Sequence, residues 1–343
     1  MSATHPSDGP PKASAAKSLL KMLLNGWSWL FLALILAFFE IYAQRTVGTT
    51  FIFRAYNIQA IGVASAQILV LALGLTMVVV AGHIDLSIAF STGLAAVLMA
   101  LVIRYTDPMI GGLAALFLGM VAGILGAIGV GIVNGWLVAS LNVPSFIGTL
   151  GTFGVARGVA LIVAGGATVS IRSEEARFFG NGEFLGIEMP IVVAIVLVIA
   201  FYYLLAHTRF GVHTYVIGAN RASAERAGIN VKRHLMLLFI LSAFTAGVGG
   251  LIYTGRFSAG AANAGEPILL YAVAAVFIGG ASLTGGQGTI TGTVIGAIII
   301  ATIQFGLVFS GLPPYWQFVA VGLVIIVAVL VDQSRDKLTG HLS

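Results

Sequence analysis

The amino-acid sequence predicts an all-α protein that crosses a membrane many times. Hydrophobic residues make up 59% of the chain and charged residues only 8%, whereas about a quarter of the residues of a soluble protein are charged. The mean hydropathy is +1.04. Four long windows contain no Asp, Glu, Lys or Arg: 108–156, 189–207, 234–255 and 267–331. Because about 20 apolar residues cross the hydrocarbon layer as a helix, these windows predict a polytopic bundle.

Breaks at glycine, proline, asparagine and charged clusters divide the sequence into about ten transmembrane helices. The predicted spans are 25–43, 58–80, 86–104, 110–139, 146–164, 189–207, 234–255, 267–281, 289–310 and 315–331. They form one transmembrane domain, 25–332, between an N-terminal tail, 1–24, and a C-terminal tail, 333–343. The apolar run after the N-terminal tail lacks an A-x-A cleavage signal, so we expect an uncleaved first span rather than a signal peptide.

Basic residues predict the direction of the helices, because cytoplasmic loops carry an excess of Lys and Arg. With an internal N-terminus, the cytoplasmic side receives Lys12, Lys17, Lys21, Arg209, Arg221, Arg226, Lys232, Arg233, Arg335 and Lys337. The other side receives Arg45, Arg54, Arg104, Arg172, Arg177 and Arg256. We therefore expect both termini in the cytoplasm and the acid-rich segment 173–188 outside.

Composition and missing motifs exclude several kinds of function. The chain has no cysteine, which excludes disulfides, thiol catalysis and cysteine-ligated metal sites. It has no Gly-Lys pair, so the phosphate loop G-x-x-x-x-G-K-[ST] is absent and the chain does not hydrolyse ATP by that route. H-E-x-x-H and G-x-S-x-G are absent as well. A net charge of +5 from scattered cations does not favour a nucleic-acid partner. We expect no catalytic residue and no metal site.

Residues 208–233 form the largest polar segment in the interior of the chain and are interpreted as a cytoplasmic docking loop. Within it, Asn220 is placed to cap a two-turn helix over 221–227, and Gly228 to end it in a left-handed conformation. Short Ala222 and Ala224, beside charges at helical spacing, suit a surface that seats in a groove of a partner. The alternative is a solvated loop that only sets orientation. The residues assigned to docking are Asn220, Arg221, Ala224, Glu225, Arg226 and Gly228.

An acid between two apolar runs is costly without a purpose, and Asp85 occupies such a position in Gly82-His83-Ile84-Asp85-Leu86-Ser87. We favour a structural role, because Asp just before an apolar run commonly caps the next helix, here with help from Ser87. The sharper alternative is a proton-coupling carboxylate paired with His83 in a secondary carrier.

Glycine is the other compositional signal, with 44 residues. Small-xxx-small spacing predicts close helix packing, and it occurs at Gly119/Gly123, Gly131/Gly135, Gly154/Gly158 and Gly288/Gly292/Gly296. The sequences of residues 78–100 and 275–301 also resemble each other. Each is predicted to form an apolar helix, a glycine-rich polar break and a second apolar helix. Such internal repeats are frequent in transporters.

The motifs together resemble the permease subunits of ATP-binding-cassette sugar importers, in the ribose, xylose and arabinose branch of the binding-protein-dependent permeases. The resemblance covers about 57–332. It is carried by G-H-I-D-L-S at 82–87, V-P-S-F-I at 143–147, T-L-G at 149–151, R-G at 157–158, G-A-N at 218–220, A-G-I-N-V at 227–231, G-G-A-S-L-T-G-G-Q-G at 279–288 and G-T at 292–293.

The resemblance implies a non-catalytic, ten-helix permease of the bacterial inner membrane that imports a monosaccharide or related polyol. Its implied partners are a second permease copy, a cytoplasmic ATPase that binds ATP and Mg²⁺, a periplasmic sugar-binding protein and membrane lipid. No cofactor is expected on this chain. The polar loop would carry the coupling helix, at Asn220 to Gly228. Two departures are His83, where the family usually has glycine, and the pair Glu225 and Arg226.

Several side chains are candidates for the solute path or for helix packing. Arg157 lies inside an apolar segment and must find carbonyls, an acid or water; bracing of helices is favoured over lining the path. Neutral solutes pass pores lined by ordinary polar and aromatic residues, so Asp85, Asn134, Thr149, Gln304 and Phe305 complete the set. An intramembrane enzyme is the third alternative, but no nucleophile–base pair is evident.

Overall fold

The computed structural model describes residues 27–340, so the predicted tail 1–24 with its three lysines lies outside them. The described chain is almost entirely helical. Its α-helices are α1 (Trp27–Tyr42), α2 (Ala55–Val80), α3 (Ile88–Ile110), α4 (Gly112–Ala139), α5 (Ser145–Val163), α6 (Glu174–Asn181), α7 (Met189–His207), α8 (Arg209–Ala219), α9 (Arg221–Arg226), α10 (Val231–Phe257), α11 (Glu266–Ile278), α12 (Ile290–Phe309) and α13 (Trp316–Gly340).

The remaining elements are short. A π-helical turn, Ala43–Val47, extends α1. Strand β1 (Val169–Ser170) pairs antiparallel with β4 (Ala259–Gly260), with Val169 opposite Gly260. Strands β2 (Glu183–Phe184) and β3 (Ile187–Glu188) form a second antiparallel pair between α6 and α7.

The helices confirm an all-α, multi-pass membrane protein. Eight of the described helices are long and apolar enough to cross a membrane, and two shorter apolar segments, α11 and Trp316–Val327 of α13, join them. These ten segments lie at the ten predicted positions, with bounds that differ by at most four residues except at the ends of α3 and α13. Helix α3 ends at Ile110, six residues beyond the predicted 104. Helix α13 differs at its end, because it continues as helix to Gly340 instead of stopping near 331.

Helix α2 lies at the centre of the bundle, where it packs against α7, α10, α11 and α12. Every residue from Ile68 to Val80 is buried. A helix that is apolar on all faces is typical of such complete enclosure. Close to its end, the hydroxyl groups of Thr76 and Thr293 of α12 share a buried hydrogen bond of 2.7 Å.

Glycines allow several of these helices to approach closely. A Cβ atom on Gly131 would lie 2.6 Å from the Cβ of Ala243 and from the carbonyl oxygen of Phe239, so α4 and α10 touch backbone to backbone. Helix α4 meets α3 in the same way through Gly119 and Gly123.

The predicted series Gly288/Gly292/Gly296 packs closely only in part, and the pair Gly154/Gly158 has no close neighbour in the described chain. Gly292 and Gly296 lie against backbone atoms of Gly279, after α11, and of Ala275 within α11, whereas Gly288 belongs to the turn before α12, with φ at +137°. A Cβ on Gly154 or Gly158 would meet nothing within 4 Å in the described chain. That face of α5 is therefore open in a single copy.

The two ends of the bundle carry different structures. At one end, α6 is capped by Ser173, whose hydroxyl accepts from the amide of Ala176. The Asn181 side chain holds α6 on the end of α10 by donating to the carbonyls of Gly255 and Arg256, both at 3.1 Å. Helix α9 lies at the opposite end, between the end of α7 and the start of α10. We refer to these as the α6 end and the α9 end.

Candidate functional site

Helix α9 has the caps that the sequence predicts. The Asn220 side-chain oxygen accepts from the amide of Ser223 at 2.9 Å and satisfies one of the free amides of the first turn. Gly228 has φ at +80°, and the amide of Ile229 donates to the carbonyl of Ala224 at 3.1 Å. This left-handed ending is one that glycine adopts without strain. Capping hydrogen bonds at both ends thus stabilise this six-residue helix.

The outer face of α9 presents charge. Arg221 Nε lies 3.2 Å from Glu225 Oε1, and both side chains are exposed. Arg221 Nη2 also donates to Asn142 Oδ1, after α4, at 3.3 Å. Arg226 Nη2 donates to Ser223 Oγ at 2.9 Å and is otherwise open to solvent. Exposed pairs of this kind contribute little stability, about 0–1 kcal/mol, so the charges are free to be used by a partner.

Ala224 corrects one detail of the sequence prediction. The sequence predicts Ala222 and Ala224 together on the partner-facing surface. Ala222 is exposed, but Ala224 has no exposed surface and packs into the hydrophobic core. Two residues apart on a helix point to different sides. The small side chain of Ala224 therefore sets how closely α9 sits on the bundle.

The sequence predicts a loop over 208–219, whereas the structure has helix α8 there. Thr208 caps it through the amide of Gly211. Its buried residues, Gly211, Thr214 and Ile217, are three apart, and this spacing with the Thr208 cap is the signal that was available. Thr214 Oγ1 lies 2.8 Å from His234 Nε2, which ties α8 to α10.

We use the name glycine junction for the contact among Gly82, Gly218, Gly285 and Gly286. It joins α8 to the two glycine-rich helix breaks that resemble each other in the sequence. The break 81–87 follows α2, and the break 279–289 precedes α12. The amide of Gly286 donates to the carbonyl of Val80 at 2.8 Å. A Cβ on Gly218 would lie 2.5 Å from the nitrogen of Gly286, and one on Gly285 would lie 3.0 Å from the oxygen of Gly218. Three backbones meet here with no side chain between them.

A second contact secures the same place. The Tyr215 hydroxyl of α8 donates to the carbonyl of Gly288 at 2.6 Å. His83, where glycine is usual in the family that the sequence resembles, does not open the junction, because the close approach is made by Gly82. A Cβ on Gly285 would lie 2.7 Å from Gly82 Cα. The His83 ring instead lies 6.4 Å from the ring of Phe239.

Asp85 is the centre of a buried polar cluster at the same end of the bundle. The residue is 1% exposed. Its Oδ1 accepts from the amide and the hydroxyl of Ser87 at 3.0 and 2.7 Å. Its Oδ2 accepts from the Ser242 hydroxyl of α10 at 2.7 Å. The carboxylate closes the turn that leads into α3 and links that turn to α10. The sequence predicts that Asp85 caps this helix, but the N-cap position is Ser87 and no side chain caps it.

The cluster extends to α4 and α5. Asn134 Nδ2 donates to Ser87 Oγ at 2.7 Å, and the Thr152 hydroxyl donates to Asn134 Oδ1. Thr149 Oγ1 accepts from the amide of Leu86 at 3.2 Å. Asn134 and Thr149, two of the candidates for the solute path, thus share one network with Asp85. Helices α4, α5 and α10 therefore meet at the turn between α2 and α3.

The ionisable groups of this turn are not partners of each other. Burial raises the pKa of the Asp85 carboxyl, and its hydrogen bonds with Ser87 and Ser242 oppose that shift. Burial, together with the nearby Arg221 cation, lowers the pKa of His83 to about 4. Within the described residues, no hydrogen bond joins His83 to Asp85. The geometry does not favour a proton relay built on this pair.

The remaining candidates lie elsewhere. Arg157 is exposed, and its guanidinium carbon lies 5.1 Å from the centre of the Phe90 ring, a cation–π contact. Phe305 packs with Phe51 and Tyr56, with ring centres 5.9 and 6.3 Å apart. Gln304 borders a cavity of about 360 Å³. Among residues 27–340, no group of three or more His, Cys, Asp or Glu side chains is placed to hold a metal ion.

Comparisons with known proteins agree with this architecture. A family model described as "Branched-chain amino acid transport system / permease component" matches residues 57–329. The chain is 36% identical, over 78% of its length and 81% of the relative's, to the ribose import permease protein RbsC of Bacillus subtilis. It is 34% identical to the D-allose transport system permease protein AlsC of Escherichia coli, over 89% of its length and 90% of the relative's.

A third relative is the L-arabinose ABC transporter permease protein AraH of Azospirillum brasilense, which is 31% identical over 88% of this chain and 87% of its own length. No solved structure matches the chain. The family model covers the bundle from near the start of α2 into α13, including both helix breaks and α9. The chain therefore belongs to this family of transport-system permease components and is a multi-pass membrane permease.

Proposed function

We propose that the chain is the transmembrane subunit of an ATP-driven importer that moves a monosaccharide or related polyol across the bacterial inner membrane. The relatives named for ribose, allose and arabinose import support this substrate class. The observation that carries the proposal is the arrangement of α9, a charged, doubly capped helix on the surface that connects through α8 to the glycine junction.

The proposed mechanism transmits force through that junction. ATP binding and hydrolysis take place on a separate ATPase, which holds ATP and Mg²⁺ and grips the outer face of α9. When the ATPase subunits close, α9 and α8 move together, because only Asn220 separates them. Backbone–backbone contacts have no rotamers to absorb a displacement, so the movement reaches the end of α2 and the start of α12.

The orientation and the other partners follow from this proposal. The α9 end faces the cytoplasm with both termini, and the α6 end faces the periplasm, where a binding protein delivers the solute and supplies most of the affinity. A second copy of the permease completes the path. The open face of α5 at Gly154 and Gly158, which has no neighbour within the described chain, is a surface that such a copy or lipid covers.

Reconstitution in vesicles with the ATPase and the binding protein tests the proposal. We expect uptake that requires ATP and both partners. Arg226→Glu and Arg221→Glu should lower uptake at least tenfold while ATP hydrolysis continues, because both change the outer face of α9. Lys232→Glu is the matched control, since it reverses an exposed charge at the same end but outside α9.

Two results would contradict the proposal. The first is normal uptake by both arginine variants, which would remove α9 as the contact for the ATPase. The second is uptake by the permease alone when only a pH gradient is applied, because this would make the chain a secondary carrier. The genes next to this one provide a simpler check, since an ATPase with two cassettes and a secreted sugar-binding protein are expected there.

A further inference from the structure

The cavity beside Gln304 has features that the proposed coupling does not use. It lies between α2, α10, α11, α12 and α13 and has a volume of about 360 Å³, within the range of about 300–1,000 Å³ that is typical of small-molecule sites. Phe257 and Gln317 border it near the α6 end. Gln67 borders it deeper in the bundle, about 18 Å along α2 from its first residue. The cavity thus reaches from the α6 end to the middle of the membrane-spanning bundle.

Polar side chains line this cavity, and some of them have no hydrogen-bond partner in the described chain. Gln304 Nε2 is buried and has no hydrogen bond within the described chain. Gln67 and the hydroxyls of Tyr253 and Tyr271 also line the cavity, and none of them makes a side-chain hydrogen bond to another described residue. An unpaired buried amide costs about 1–3 kcal/mol. In a membrane bundle such groups need a polar partner, which a polar molecule in the cavity would supply.

The chemistry of the walls selects the kind of molecule. Among the described residues that line the cavity, none is charged. An amino acid carries an ammonium and a carboxylate, and both need compensation in a site of low polarity. A sugar is neutral, and its hydroxyls both donate and accept, as the glutamine amides do.

Aromatic rings supply the second element of a sugar site. The rings of Tyr271 and Phe318 are stacked, with centres 6.1 Å apart, and Tyr253 and Phe257 lie 4.6 Å apart. All four residues border the cavity. Flat aromatic surfaces suit the C–H faces of a sugar ring, while amides beside them bind its hydroxyls. This combination of apolar walls and a few convergent polar groups is typical of specific small-molecule sites.

We propose that this cavity is a binding site for a neutral sugar on its way through the permease, with Gln67, Gln304, Tyr253 and Tyr271 as contacts. The inference rests on the proposed function and adds the class of residues that hold the solute. It also separates a polyol from an amino acid as the solute, which the description of the family alone does not.

The absence of cysteine from the natural chain allows a direct test. Gln304→Cys and, separately, Gln67→Cys are introduced into the complete transporter, and the rate of modification by a charged, water-soluble thiosulfonate reagent is measured. D-ribose, L-arabinose and D-allose are the probes, each added in excess, with L-leucine as the amino-acid comparison. Tyr56→Cys is the control, because Tyr56 is exposed and packs against Phe305 outside the cavity.

We expect both cavity cysteines to react and the transported sugar to slow the reaction at least fivefold. Leucine should have no effect, and the control variant Tyr56→Cys should react equally under all conditions. Gln304→Leu should lower uptake of that sugar about tenfold, whereas Tyr56→Phe should not change it. Uptake by the unmodified transporter is measured first. If it imports none of these sugars, the proposed function fails and this inference fails with it.

Three outcomes in a working sugar importer overturn the inference alone. The cysteines react at rates that the imported sugar leaves unchanged, they react only with a lipid-soluble maleimide, or Gln304→Leu and Gln67→Leu both transport at the normal rate. The second outcome would mean that lipid fills the cavity. Using two cysteine positions keeps the test decisive if one variant does not fold.

Discussion

The backbone of Gly285 lies directly against that of Gly82, so that a Cβ atom on Gly285 would come within 2.7 Å of both the Cα and the nitrogen of Gly82. These residues belong to the two helix breaks that echo each other in the sequence. Gly285 also has φ at +83°. Two separate constraints therefore require glycine at this position, and mutation can tell them apart.

Gly285→Ala should destabilise the permease by more than the conformational strain alone. A left-handed φ costs a residue other than glycine about 1–2 kcal/mol, and the added methyl group must also push two backbones apart. Gly280→Ala is the matched control, because Gly280 has φ at +89° but a Cβ there meets nothing within 4 Å. Thermal unfolding in nanodiscs should give a clearly larger loss for Gly285→Ala. Equal losses would show that the junction is loosely packed.

Asp85→Ala should be far more damaging than Asp85→Asn. Alanine leaves the hydroxyls of Ser87 and Ser242 without their acceptor in a buried place, at about 1–3 kcal/mol for each unpaired group. Asparagine keeps one oxygen toward Ser87, and its amide group can donate to Ser242. Unfolding of the two variants in detergent measures the difference. If Asp85→Asn folds normally but abolishes a pH dependence of uptake, the carboxyl has a role in proton movement instead.

His83 should make the permease less stable in mild acid. Its pKa in the folded protein is about 4, below the usual 6.5, because of burial and the nearby Arg221. Between these values the unfolded chain binds the proton and the folded protein does not, so stability falls as pH decreases from about 6.5 through 4. His83→Gln removes this contribution and keeps Asp85, whose raised pKa acts in the opposite direction in both proteins.

The measurement is the unfolding temperature of both proteins between pH 7 and pH 4.5. The difference between them should shift in favour of His83→Gln as pH falls. A difference that stays constant over this interval would show that His83 is solvated and free to take up the proton.

Ala224→Leu should displace α9 from the bundle. The residue is fully buried, and adding a larger side chain to a packed site costs about 1–3 kcal/mol. Ala222→Leu is the control on the exposed side of the same helix. Hydrogen exchange of the α9 amides should become faster only for Ala224→Leu, and uptake by the complete transporter should fall with it. Unchanged exchange would mean that α9 is not seated through this side chain.

The membrane spans were predictable because long apolar, charge-free windows are set by composition alone. The caps of α9 were predictable too, since Asn220 and Gly228 act on their immediate neighbours. The sequence does not predict helix α8, because the segment is short, begins with Arg209 and contains two glycines, Gly211 and Gly218. Its cap at Thr208 is a weak signal beside the polar character of the segment.

Features that depend on several distant segments were outside the reach of the sequence. The burial of Ala224 depends on which side of α9 faces the bundle, and nothing local to α9 decides this. The glycine junction was visible only as two similar breaks, because contact between Gly82, Gly218 and Gly285 needs three segments to converge. Gln304 was a candidate for the solute path, but the cavity that it borders requires five helices to be in place.

Helices α2 and α12 both run from the glycine junction to the cavity. The hydrogen bond between Thr76 and Thr293 joins these two helices at a point between the two features. From Thr76, the end of α2 at Val80 is about 6 Å away along the helix, while Gln67 is about 14 Å away in the other direction. If α2 and α12 rotate against each other about this bond, the helix segments on its two sides have unequal lengths. On α2, a small movement at the glycine junction then becomes a movement roughly twice as large at Gln67.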